Sequence, residues 1–295
     1  MRIFFFALSK TNKFDFLFIN FYNEIKNKRN RKLNLGLKNK VALVTAASKG
    51  IGKAVAELLT EEECKVAICS SNKQNLIKAS NQIKELYKVE PLWLVCDINN
   101  PKEIEETVKA VKKELGDIDI LINNCGGPKP GFFEDLRDED WEYGYNQVLM
   151  SAIRFIRQVL PGMKLNNWGR IINITSLSVK QPVDNLILSN SFRSALTAAA
   201  KTLSKDVGKF NITVNNVAPG YTLTSRLYEL AMDKAKKENS THEDVLAEMA
   251  KNSSVRRVAN PEEVASAVLY LASNRASYIT GSTIAVDGGV IKSTY

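Results

Sequence analysis

The sequence predicts a doubly wound α/β domain, a single mainly parallel sheet of seven strands with helices on both faces. Three observations carry this. Along residues 34–295, short apolar runs alternate with segments whose apolar positions recur at helical spacing. The runs are nearly continuous rather than alternating, as strands buried on both faces are. No linker, composition break or internal repeat divides them.

The elements follow in order. Val41–Val44 is the first strand, and Ile51, Val55, Leu58 and Leu59 mark the helix after it. Lys65–Cys69 and Leu92–Cys96 are the second and third strands. The helix Gln74–Tyr87 stands between them, and Pro101–Leu115, with Pro in its first turn, follows. Ile118–Ile122 is the fourth strand, Asp138–Met163 one long helix, and Arg170–Ile174 the fifth strand. Leu186–Val207 is a helix rich in small residues, and Ile212–Asn216 is the sixth strand. Thr222–Arg257 reads as two charged helices, with Ser240-Thr-His-Glu243 resembling a capping box. Pro261–Ser273 is the last helix, and Thr283–Val286 closes the sheet.

The stretch from Val41 to Gly52 is the first functional signal. Strand, tight turn and helix in that order leave free backbone N–H groups and the positive helix end where a phosphate can sit. Gly50 and Gly52 have no side chain to obstruct a pyrophosphate. An ordinary βα corner with two glycines is the alternative.

Composition narrows the chemistry. The chain has 295 residues, 44% of them hydrophobic, and a formal charge of +9. Residues 1–33 carry eight Lys and Arg against two acids, so only +3 belongs to the remainder, weak support for nucleic-acid binding. Those first 33 residues read as a basic, disordered extension, as translation from an upstream start, or, least of the three, as a weak peripheral membrane anchor. Their apolar run is too short for a membrane span and lacks a signal-peptide cleavage site. Four cysteines without C-x-x-C pairing suggest buried, reduced thiols and a cytoplasmic protein. His242 is the sole histidine, which excludes a His-based metal site and a Ser-His-Asp triad.

Five segments in order then resemble the short-chain dehydrogenase/reductase family, over essentially all of 34–295. Thr45-Ala-Ala-Ser-Lys-Gly50-Ile-Gly52 is similar to its T-G-x-x-x-G-x-G loop, and Asn123-Asn-Cys-Gly126 to its N-N-A-G. Asn216-Val-Ala-Pro-Gly220 is similar to its N-x-x-P-G turn. Pro261-Glu-Glu-Val-Ala265 and Tyr278-Ile-Thr-Gly281 through Asp287-Gly-Gly289 are similar to its C-terminal pattern. The nearest general likeness is to 3-oxoacyl-(acyl carrier protein) reductases. The resemblance implies a Rossmann-like fold, a small carbonyl or alcohol substrate (an acyl thioester among the options) and a homodimer or homotetramer. It also implies cofactor contacts from Thr45, Ala46, Ser48, Lys49, Gly50, Ile51 and Gly52, and from Ser70 and Ser71 after the second strand. Asp97 and Ile98, Asn124, Cys125 and Gly126, Arg193, and Pro219, Gly220 and Thr222 complete that set. Asp97 would hold the adenine, Asn124 would lie beside the adenosine ribose, and Thr222 would meet the nicotinamide amide. Ala46 replaces the loop's first glycine, acceptable if its φ is negative. Cys125 replaces an alanine and fits as a small hydrophobe.

Charge favours NADP(H) over NAD(H). An acid after the second strand would bond a ribose 2′-hydroxyl and repel a 2′-phosphate. That end reads Cys69-Ser-Ser-Asn72, with Lys49 in the loop opposite, although a solvated loop lysine is the competing view of Lys49.

The catalytic set departs from the family. The resemblance implies a Ser, a Tyr and Lys in Y-x-x-x-K, and an Asn on the preceding helix. Ser176 is retained, but the Tyr and Lys positions read Ser189 and Arg193, and the Asn position counts to Val148, which can hold no relay water. A Ser hydroxyl is a far weaker acid than a phenol of pKa about 10, and Arg does not deprotonate. A positioned general acid is worth roughly 10²–10⁴ in rate. Two readings follow. In one, Ser176 and Ser189 bind a carbonyl oxygen, Arg193 stabilises the oxyanion and water delivers the proton, with Lys129 or Lys180 holding an anionic substrate. In the other, the protein binds NADP(H) without turnover, as a sensor or assembly partner. Tyr221, Leu223, Leu227, Tyr228 and Leu230 suggest a partly apolar pocket or simple helix packing.

Overall fold

The computed structural model describes residues 33–294. The chain divides into two units, Met1–Leu35 and Gly36–Tyr295. The basic stretch 1–33, apart from Leu33, lies outside the described residues, and with it the three readings of that stretch.

In the second unit the strands are β1 Val41–Thr45, β2 Lys65–Ser70, β3 Leu92–Val95, β4 Ile120–Asn123, β5 Gly169–Ile174, β6 Ile212–Pro219 and β7 Thr283–Val286. They form one sheet in the order β3-β2-β1-β4-β5-β6-β7, every pair parallel. The chain starts in the middle, winds outward through β2 and β3, then crosses to β4 and winds the other way. That reversal opens a crevice beyond the carboxyl ends of the central strands.

Burial follows from this order. Every residue of β1, β4, β5 and β6 is buried, whereas the edge strands β3 and β7 are only partly so. Helices cover both faces: α1 Gly50–Glu61, α2 Lys73–Tyr87, α3 Pro101–Leu115, α4 Asp138–Gly144, α5 Ser151–Leu165, α6 Ile187–Val207, α7 Ser225–Glu238, α8 His242–Asn252 and α9 Pro261–Ala272. Leu43, Leu121, Ile171 and Val214 of four central strands meet Phe155 and Val159 of α5 and Val108 and Val111 of α3 in one core.

One polar row crosses this apolar sheet. Asn123, Asn173 and Asn216 stand in register on β4, β5 and β6. Asn123 Nδ2 donates to Asn173 Oδ1 at 2.9 Å, Asn173 Nδ2 to Asn216 Oδ1 at 2.9 Å, and Asn216 Nδ2 to Thr283 Oγ1 at 3.2 Å. Buried amides are tolerable there because each bonds a neighbour, although Asn123 Oδ1 has no partner among the described residues.

The expected elements differ from the observed ones in three places that matter. The long helix Asp138–Met163 is broken: Tyr145–Met150 has π-type bonding between α4 and α5. Such widened turns shift which residues face a neighbouring site. The capping box sits one residue later than expected, with Thr241 capping α8 and Asp244 answering it, so Ser240 and Glu243 are not its members. β6 runs three residues further, to Pro219, because β7 pairs with it up to that point.

Candidate functional site

A cavity of about 430 Å³ opens at the carboxyl ends of β1, β2, β4, β5 and β6, within the usual range for small-molecule sites. Its floor is the β1–α1 turn. Ala47 N donates to Cys69 O at 3.1 Å, which ties the turn to β2. Thr45 Oγ1 donates to Asn124 O at 2.6 Å and accepts from Asn124 N at 2.8 Å, which ties β1 to the β4 loop. Lys49 at the start of α1 supplies no side-chain cap, and the helix has no acid in its first turn. Its N–H groups and positive end are therefore left facing the cavity, an arrangement that can hold a phosphate.

Most of the sequence-expected residues line this cavity: Ala46, Ser48, Lys49, Gly50 and Ile51, then Ser70 and Ser71, Asp97 and Ile98, Asn124, Cys125 and Gly126, and Pro219 and Gly220. Ser176, Ser189 and Arg193 line it as well. Three expected residues are not on the wall. Thr45 is buried beneath it. At Gly52 a Cβ would meet Asn124 Nδ2 at 2.7 Å and Ala46 O at 2.8 Å, so this glycine lets α1 close against both loops. Thr222 is buried, donates to Gly220 O and bridges to Ala259. Thr224, two residues on, lines the cavity instead and caps α7 through Leu227 N.

Ala46 also departs from expectation. Its φ is +46°, in the left-handed region, not negative. The turn needs that conformation to aim Ala46 O at Asn124 Nδ2, 3.2 Å away, while Ala47 N reaches β2.

The Ser189/Arg193 pair sits on the cavity-facing side of α6, both residues buried. Arg193 Nε donates to Ser189 Oγ at 3.2 Å, and its Nη1 donates to Ile174 O and Thr175 O, each at 3.0 Å. Nη2 lies 3.8 Å from Cys125 Sγ. Ser176 Oγ accepts from Ser178 N at 3.2 Å. Each serine oxygen thus receives a fixed N–H, which leaves its own O–H to donate elsewhere.

Sequence counting missed several wall residues. Val148, counted to the family's Asn position, is buried off the wall, and Gln147 lines the cavity in its place. Both residues lie in the π-type turn. Gln147 Oε1 is buried without a partner among the described residues. Lys129 and Lys180 do not line the cavity, and Lys129 is paired with Asp140 at 2.8 Å. Arg226, Leu230 and Leu186 line it; of the five apolar candidates Leu230 is there, Leu223 and Tyr228 line a smaller hollow beside Lys49, Leu227 is buried in packing, and Tyr221 lines neither.

All four cysteines are free thiols. Burial pushes Cys64 up to about 12. A hydrogen bond with Cys96, followed by burial, keeps Cys69 protonated. Cys125 is only half-buried.

These features define a doubly wound dinucleotide-fold protein with its cavity at the switch point. Residues 45–291 match a family model described as Enoyl-(Acyl carrier protein) reductase. The chain is similar to NADPH-dependent reductase BacG of Bacillus subtilis, 31% identical over 87% of this chain and 100% of that protein. It is 34% identical to 3-oxoacyl-[acyl-carrier-protein] reductase FabG of Vibrio cholerae, over 87% of this chain and 99% of the relative. Among solved structures, the L-sorbose reductase from Gluconobacter frateurii, complexed with NADPH and L-sorbose, superimposes with a TM-score of 0.84 at 32% identity. That match covers 88% of this chain and all of the reductase. The chain belongs to the short-chain dehydrogenase/reductase family.

Proposed function

We propose that this protein is an NADP(H)-dependent oxidoreductase that interconverts a small carbonyl compound and its alcohol, using two serines and an arginine in place of the family's Tyr and Lys. One observation carries the reading. Ser176 and Ser189 both face the cavity with an N–H donating into their oxygens, so both O–H groups are free to bind one substrate oxygen.

The cofactor reading rests on the β1–α1 turn. The uncapped α1 N-terminus takes the pyrophosphate, Asp97 and Asn124 flank the adenosine, and Lys49 with Ser48, Ser70 and Ser71 surrounds a 2′-phosphate without a carboxylate nearby. NADPH supplies the hydride when bound. The chain's residues orient and stabilise. Ser176 and Ser189 hold the carbonyl oxygen, and Arg193, whose Nε bond polarises the Ser189 hydroxyl, favours negative charge there. One such donor is worth about 10²–10³ in rate. Gln147 Oε1 is placed to accept from a water that supplies the proton the serines cannot.

The second reading, NADP(H) binding without turnover, draws on Arg193 itself. Three of its N–H groups are spent on the β5 carbonyls and Ser189. Stopped-flow single turnover with a panel of ketones and aldehydes separates the two: NADPH oxidation that falls about 10²-fold in Ser189→Ala fits the enzyme. Tight NADPH binding with no oxidation across the panel would leave the sensor.

We assign the protein to the cytoplasm on its reduced thiols; among the described residues no helix is long and apolar enough to cross a membrane. Assembly as a dimer or tetramer uses the exposed small residues Ser194, Ala195, Ala198 and Ala199 of α6. Sedimentation velocity tests it.

A further inference from the structure

We propose that the substrate is a short oxo acid and that Arg226 binds its carboxylate; this rests on the oxidoreductase reading above. Arg226 lies in the first turn of α7 and lines the cavity. Its Nη2 donates to Pro128 O at 2.8 Å, which holds the guanidinium across the β4 loop. The group lies over Gly127, where a Cβ would stand 2.6 Å from Nε and 3.0 Å from Cζ. Any other residue at 127 would push the arginine out of its seat.

The charge balance of the cavity points the same way. Among the described residues its one lining carboxylate is Asp97, beyond β3. The other charged residues on the wall that Ser176 and Ser189 share are Lys49, Arg193 and Arg226. Arg193 is engaged by Ser189 and two carbonyls. Arg226 is less engaged: among the described residues its polar partners are Pro128 O and Glu229, the latter 3.6 Å away and 59% exposed, a pair worth little in water. Nε–H and part of the fork remain for two parallel bonds to a carboxylate. Leu186 and Leu230 line the same cavity and offer apolar surface for a short carbon chain between acid and carbonyl. Arg226 is a specificity-determining residue here, the anion-binding role that Lys129 and Lys180 do not reach.

The test uses the full chain with NADPH and a panel of 2-oxo and 3-oxo carboxylates, each beside its methyl ester. The acid is expected to exceed the ester by about tenfold or more in kcat/KM, as one charge-assisted bidentate contact gives. In Arg226→Gln that ratio falls to within about twofold, mostly through KM, and Arg226→Lys restores part of it. A latch that only fastened α7 to Pro128 would lower acid and ester together and keep the ratio, which overturns the proposal. So does a native protein that reduces acid and ester equally. A second readout needs no turnover: hexanoate, but not methyl hexanoate, should raise the unfolding temperature of the native protein and not of Arg226→Gln. If that shift is present while no NADPH is oxidised, the carboxylate site stands and the oxidoreductase reading fails. If NADPH is oxidised but neither the ratio nor the shift depends on Arg226, the reverse holds.

Discussion

Replacing Ala46 with glycine should stabilise this protein, although it removes a methyl group from the cofactor turn. At φ +46° an L side chain crowds the following carbonyl, a cost of about 1–2 kcal/mol. Glycine adopts the same backbone freely but adds unfolded-state entropy worth about 0.4–1 kcal/mol. The difference leaves Ala46→Gly about 0.5–1 kcal/mol more stable, or roughly 2 °C in Tm for a domain of this size. Ala47 provides the control. It is fully buried with no positive φ, so Ala47→Gly should lose about 1 kcal/mol or more through its methyl and the added chain entropy. Urea unfolding of the three proteins, followed by far-UV circular dichroism, reads both signs. A lower midpoint for Ala46→Gly would refute the left-handed turn and return the residue to the negative φ that the sequence alone suggested.

Three more expectations follow from the geometry. Asn173→Leu strands Asn123 Nδ2 and Asn216 Oδ1 in a dry sheet, so it should cost about 2–4 kcal/mol in urea unfolding. Glu263 is held down to about 2 by its hydrogen bonds from Arg257, at 2.6 Å to each oxygen, and by the bond from Asn260 N. Its folded value lies below its unfolded one, so its contribution is complete above about pH 4.3 and is lost as pH falls through about 2. The stability gap between native and Glu263→Gln proteins at pH 7 should therefore close at pH 2, in parallel denaturation curves. Cys125, the half-buried thiol on the cavity wall, should be the first to react with a disulfide reagent and be shielded by NADPH, as mass spectrometry would show; Cys64, buried and held protonated, should lag.

How legible the site was depends on which residues act through chain-local geometry. The β1–α1 turn could be read from Val41 to Gly52 because strand, turn and helix are consecutive, and consecutive residues determine where N–H groups point. The parallel sheet was legible for a similar reason: strands buried on both faces lose their alternation, and β1, β4, β5 and β6 are such strands. The Asn123–Asn173–Asn216 row was present in the motifs, but its pairing needs the strand order, which local pattern does not contain.

Counting along the chain does not say which residues reach the wall where the backbone is irregular. In the π-type turn Val148 is buried and Gln147 lines the cavity, and after Gly220 Thr222 is buried and Thr224 lines it. Ala46 took a positive φ because both neighbouring loops demand its carbonyl and the next amide at once, a constraint set across the sheet. By itself, then, the sequence determined the fold class and the strand, turn and helix that begin it. Only the tertiary structure decided which distant side chains meet beside that turn. Arg193 reaching the β5 carbonyls and Arg226 seated on Gly127 are contacts between residues 18 and 99 positions apart, and no local periodicity records them.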